Sequence, residues 1–148
     1  NTEVFSDDLI IDTIDKFNKL NVHALSIVDT FGDLSNAEFL RLVNIFDKHM
    51  NSDIALCYHA HNNLQQAFQN SQSFVELNLK RDIIIDGCVF GMGRGAGNLN
   101  LELFAKFLND NYGKDYHIVP MLEIMDECLQ DFYKENFYLV LSFSFIFL

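Results

Sequence analysis

The chain has 148 residues, 49% of them apolar, which is one domain's worth of sequence with enough hydrophobic material for a core. Its formal net charge is −11 and its ten Lys and Arg form no basic stripe, which argues against nucleic acid as a partner. The three cysteines, Cys57, Cys88 and Cys128, are odd in number, far apart and set in apolar surroundings, so they read as reduced core thiols of a cytoplasmic protein, with no disulfide framework. Asn1-Thr2-Glu3-Val4 has neither the basic region nor the apolar segment of a signal peptide.

A first helix is expected from Ser6, with Asp7 and Asp8 at the positive end of its dipole and Ile10, Ile14 and Phe17 on one face, ending in a loop at Asn18 to Asn21. Ala24-Leu25-Ser26-Ile27-Val28 reads as a buried strand that turns at Asp29-Thr30-Phe31-Gly32. Ser35 and Glu38 form a capping box for the next helix, which points Phe39, Val43 and Phe46 inward. Residues 53–59 form a second strand, followed by a helix with Leu64, Ala67, Phe68, Ser71 and Val75 on its buried face. A third strand, Asp82 to Asp86, leads into the glycine-dense stretch 91–98 and then a helix carrying Leu101, Phe104, Ala105 and Leu108, with Asn98 placed to cap it.

A last helix opens with Pro120 in its first turn and continues through Met121, Met125, Cys128 and Phe132. The apolar run 137–148 has about twelve residues, short of the roughly 20 that span a bilayer, so no membrane anchor is expected; it reads as a strand lacking its partners or as residues foreign to the native frame. Strands apolar on both faces alternate with helices, the pattern of a parallel sheet wrapped by helices.

The chemistry concentrates at the carboxyl ends of these strands, where parallel α/β folds build their sites. His59 and His61 are two apart at the end of a strand, so their imidazoles point the same way and supply half of a divalent-metal site. Asp29 either positions a substrate or caps its own turn. Asn62 and Asn63 either support the imidazoles from behind or cap the following helix. The glycine stretch offers backbone N–H groups at a helix N-terminus to an anion, with Arg94 as partner for a carboxylate or as a solvated side chain. It matches neither a Walker pattern nor a dinucleotide fingerprint. Cys88 lacks a neighbouring base and reads as a packed thiol; His23, His49 and His117 read as surface or structural residues.

Taken together, Val28-Asp29-Thr30-Phe31-Gly32, His59-Ala60-His61-Asn62-Asn63-Leu64 with Asn70-Ser71, and the run from Gly91 to Asn98 with Leu101-Glu102 resemble the pyruvate-carboxyltransferase-like, or DRE-TIM metallolyase, superfamily, most closely its 4-hydroxy-2-oxovalerate aldolase branch. Asn63, Arg94 and Gly95 depart from the isopropylmalate and homocitrate synthase branch.

The resemblance implies a partial (β/α)8 TIM barrel: residues 1–113 as the last three strand-helix units of the catalytic domain and 114–148 as a helical extension with an apolar tail. The missing initiator Met agrees with a chain that starts mid-protein. It further implies Mn²⁺ or Mg²⁺ held by His59 and His61, with Asp29, Asn63, Arg94 and Asn98 around the substrate or behind the ligands. The aspartate ligand, its neighbouring arginine and the catalytic base would lie upstream and have no counterpart here. The activity implied for the intact protein is cleavage of a 4-hydroxy-2-oxo acid to pyruvate and an aldehyde through a metal-stabilised enolate, with the chain alone inactive. Its partners would be the 2-oxo acid, an aldehyde dehydrogenase subunit or further copies of itself, and neither nucleic acid nor membrane. The alternatives are a Claisen condensation of acetyl-CoA with a 2-oxo acid, and a non-catalytic remnant that assembles through open sheet edges.

Overall fold

The computed structural model describes residues 5–129 together with Asp131 and Lys134. Helix α1 (Asp7–Phe17) begins where the Ser6 hydroxyl accepts the Leu9 N–H, and buries Ile14. Strands β1 (Ala24–Asp29), β2 (Ala55–Ala60) and β3 (Ile83–Asp86) form one parallel sheet in the order β1-β2-β3. β1 runs one residue further than expected because Asp29 pairs with Ala60, and β2 starts later because an Ile54 N–H to Asn51 carbonyl bond turns the chain first.

Helix α2 (Asn36–His49) is capped by Ser35, whose hydroxyl accepts the Glu38 N–H. The reciprocal half of the expected capping box is replaced: the Glu38 carboxylate takes two N–H groups from Arg41, a charge-assisted pair one turn along. Helix α3 (Ala67–Glu76) starts later than expected, so Leu64 lies outside it and is half exposed, while Ala67, Ser71 and Phe74 are buried. Helix α4 (Leu101–Tyr112) is capped by Asn100, whose side chain accepts the Leu103 N–H, and not by Asn98. Helix α5 (Ile118–Ile124) passes into a π turn over Met125–Leu129; the expected position of Phe132 and the run 137–148 lie outside the described residues. No helix among the described residues is long and apolar enough to cross a membrane.

Register and the two-residue strand period sort the sheet into two faces. Leu25, Ile27, Leu56, Tyr58, Ile83 and Ile85 share one face and join Phe39, Leu42, Val43, Phe74 and Phe104 in the hydrophobic core, so this face is the one packed against helices. The other face carries Ser26, Val28, Cys57, His59, Ile84 and Asp86 and contributes nothing to that cluster; Val28 is 50% exposed. The helices therefore cover one face, as in the partial TIM barrel expected from the sequence, and the second face, which mixes Ser26, His59 and Asp86 with Val28 and Ile84, is the one that looks inward in such a barrel. Arg81 closes the opposite end of the sheet. Its guanidinium, with the side chain 6% exposed, donates to the Asp47 carboxylate and to the carbonyls of Asp47, Met50, Asn51 and Ile54, satisfying the end of α2 and the loop after it.

Candidate metal centre

His59 lies in β2 and His61 one residue beyond its end, on the inward face. Their ring centroids are 5.5 Å apart, with planes at 71°, so the imidazoles stand side by side. Each ring is gripped at Nδ1: His59 by the Asp86 carboxylate (3.2 Å) and His61 by the Arg94 carbonyl (3.4 Å). A carboxylate and a carbonyl only accept, so each favours the neutral ring that carries its proton at Nδ1 and presents a lone pair at Nε2. That is the tautomer a metal-binding imidazole needs.

Asn98 sits beside His61 through an isolated antiparallel bridge. Its amide nitrogen donates to the Met92 carbonyl (2.7 Å), which fixes which side of the amide is nitrogen. The oxygen on the other side, Oδ1, is buried with no hydrogen-bond partner. An orphaned buried acceptor costs about 1–3 kcal/mol. The backbone bridge sets Asn98 level with His61, and an amide oxygen is a hard donor of the kind that Mn²⁺ or Mg²⁺ takes together with imidazole nitrogen. Among the described residues no group of three His, Cys, Asp or Glu side chains forms a metal site.

The other residues singled out from the sequence hold the mouth of the site together. Asp29 is 5% exposed, and its carboxylate accepts the N–H groups of Asp33 and Leu34, each at 3.2 Å. Burial pushes its pKa up against the lowering effect of those bonds. Both oxygens accept from its own turn, which is the capping role. Asn63 donates to the Phe31 carbonyl and accepts the Ala96 N–H, both at 2.8 Å, joining the β1–α2 turn to the glycine loop. Asn62, not Asn63, serves α3, accepting the Ala67 N–H at 3.2 Å.

The glycine loop is less of an anion cradle than its composition suggests. The N–H groups of Gly91, Met92, Ala96, Gly97 and Asn98 are bonded within the protein, and Asn100 caps the helix that follows. Arg94 is exposed at the loop's tip. The glycines are required by close approach: a Cβ on Gly97 (φ +86°) would lie 2.0 Å from the Gly91 carbonyl oxygen.

Two carboxylates take roles that the sequence alone does not assign them. Asp86 reads from the sequence only as a strand-end acid, and pairing β2 with β3 is what sets it level with His59. Glu102, 4% exposed, accepts the Phe90 N–H with both oxygens and so holds Phe90 at φ +58°, where the chain enters the glycine loop. Its place in the first turn of α4, where the helix dipole favours an acid, is the signal that could have drawn attention to it.

A family model described as HMGL-like matches residues 3–121. The 4-hydroxy-2-oxovalerate aldolase of Pseudoalteromonas translucida is 38% identical over 78 residues, 50% of this chain and 22% of that protein. The one from Serratia proteamaculans is 34% identical over 105 residues, 68% of this chain and 30% of that protein. The chain thus matches less than a third of either relative. A crystal structure of the N-terminal domain of an aldolase-like protein from Bacteroides vulgatus superposes with a TM-score of 0.75 at 24% identity, over 90% of this chain and 44% of that one. At that identity the likeness establishes the fold, a portion of a TIM barrel matched over part of the partner's length.

Proposed function

Because this chain belongs to the HMGL-like family, we propose that its paired strand-end histidines are the metal-holding part of an aldolase that cleaves 4-hydroxy-2-oxo acids to pyruvate and an aldehyde. One observation carries the reading: two side-by-side imidazoles, each facing an accept-only group at Nδ1, on a strand end that bridges to Asn98, whose buried Oδ1 has no hydrogen-bond partner. His59, His61 and the Asn98 Oδ1 would hold a divalent ion, Mn²⁺ or Mg²⁺. When bound, such an ion supplies Lewis acidity to the carbonyl of a 2-oxo acid.

The chain's own residues do the positioning. The Arg94 guanidinium at the loop tip matches a substrate carboxylate in charge and in fork geometry. The Arg94 carbonyl, from the same residue, orients His61, so ligand and substrate contacts share one loop. Asn63 keeps that loop registered to the end of β1. Buried Asp29 keeps the β1 turn rigid without facing the ligand. Proton transfer to or from the substrate has no base in this set, and that role belongs to residues outside it.

The protein at its natural length, given racemic 4-hydroxy-2-oxopentanoate and Mn²⁺ with pyruvate coupled to lactate dehydrogenase, is expected to release pyruvate, and His59→Ala and His61→Ala to abolish the release. Acetyl-CoA-dependent thiol release in place of pyruvate would overturn the aldolase reading in favour of a condensing enzyme. The 148-residue chain itself should bind Mn²⁺ with a Kd weaker than about micromolar, since structural affinity rises with the number of well-placed ligands.

A further inference from the structure

We infer that Asp86 is the positioning residue that fixes His59 in its Nδ1–H form, turning Nε2 toward the ligand; the purpose of this device rests on the metal reading above. Asp86 and His59 are paired in register on adjacent parallel strands, so both side chains leave the sheet on the same face at the same level. The contact follows directly: His59 Nδ1 lies 3.2 Å from the Asp86 carboxylate.

Stability does not account for the pair. The two side chains are 35% and 48% exposed, and ion pairs that open to solvent contribute about 0–1 kcal/mol. What the carboxylate does impose is proton position, because it cannot donate to the ring. Below it on the same face lies Cys57, two residues before His59 in β2 and 8% exposed, flanked in register by Ser26 and Ile84. Burial pushes the Cys57 thiol up, and the nearby Asp86 carboxylate adds to this.

His61 supplies an internal control. Its Nδ1 is held by the Arg94 backbone carbonyl, a partner that no substitution at position 86 removes.

The experiment is long-range ¹H–¹⁵N spectroscopy of the full chain with ¹⁵N-labelled histidine, at about pH 8, above the ordinary imidazole pKa of about 6.5. In the unsubstituted chain His59 should show a protonated Nδ1 and an unprotonated Nε2. Asp86→Asn replaces an accept-only group by one that can donate, and Asp86→Ala removes the partner; both should move His59 toward the Nε2–H form that free imidazole prefers, with His61 unchanged. Asp86→Glu, which keeps an acceptor, should retain the Nδ1–H form. Mn²⁺ affinity, followed by water-proton relaxation, should fall about 10- to 100-fold in the Asn and Ala variants.

A His59 spectrum unaffected by Asp86→Asn and Asp86→Ala overturns the inference. If the tautomer moves but the unsubstituted chain and the natural-length protein bind no Mn²⁺, the positioning role stands and the metal reading falls. Should Asp86→Ala fail to fold, Asp86→Leu, near Asp in size and with no hydrogen-bonding atom, takes its place.

Discussion

Gly32→Ala should damage this protein in a way that can be separated into parts. Gly32 has φ +61°, and a Cβ there would lie 2.6 Å from the Asn63 nitrogen, 2.8 Å from the His61 carbonyl carbon and 2.9 Å from its oxygen. The left-handed backbone alone costs an alanine about 1–2 kcal/mol. All three atoms met are backbone, so no side chain can swing aside, and forced overpacking of this kind adds about 1–3 kcal/mol. The sum, about 2–5 kcal/mol, is a large part of the 5–15 kcal/mol that stabilises a typical domain.

Gly113→Ala isolates the first part: its φ is also +61°, but its Cβ would meet nothing within 4 Å. With a urea slope of about 1–3 kcal/mol/M, the 1–3 kcal/mol of overpacking should put the midpoint of Gly32→Ala about 0.3–3 M below that of Gly113→Ala. Because relief can come only by moving His61 and Asn63, the imidazole signals of His61 should shift in the Gly32 variant and stay fixed in the Gly113 variant. Equal urea midpoints for the two variants would refute the reasoning.

Asn63→Asp keeps an acceptor for the Ala96 N–H but sets a carboxylate against the Phe31 carbonyl, so it should lower stability by about 1–3 kcal/mol and loosen the glycine loop, seen as faster amide exchange at Ala96. Arg81→Met should cost about 2–4 kcal/mol in a denaturant melt, as four carbonyls and the Asp47 carboxylate lose their donor together. The pKa of Glu38 is held down, chiefly by its hydrogen bond from Arg41. A lowered carboxylate pKa stabilises the fold above the ordinary value of 4.5, and that contribution is lost as pH falls through the lowered one, so Glu38→Gln should be less stable at pH 7 and equal to the parent in strong acid. Asp29 has the opposite sign: its pKa is raised above 3.8 by burial, so its ionisation opposes folding as pH rises through the raised value, and Asp29→Asn should flatten that part of the pH–stability curve.

Local rules made much of this molecule legible in its sequence. Ser6 and Ser35 announce helix starts because a hydroxyl one residue ahead of a helix satisfies a backbone N–H whatever else surrounds it. The β-branched and aliphatic runs announce strands, and the two-residue period puts His59 and His61 on one side before any partner strand is known. The errors fall where two local choices compete. Asn98 and Asn100 can each cap α4; Asn100 does so, because the bridge to His61 and the bond to Met92 hold Asn98 in the loop. Glu38 prefers a guanidinium one turn along to the free N–H of its own cap.

What the residues alone determined is the order of the elements, the class of the fold and the pair of imidazoles, since each depends on spacings of a few residues. Tertiary structure decided which groups meet across those spacings. Asp86 lies 27 residues from His59, Arg94 lies 33 from His61 and Ala96 lies 33 from Asn63, and each pair meets only because parallel pairing sets the strand ends level and the glycine loop folds back over them. The acceptors that face both ring Nδ1 atoms come from those distant partners. Proton position and donor geometry depend on what stands within about 3 Å of an atom, which a strand's own periodicity does not encode.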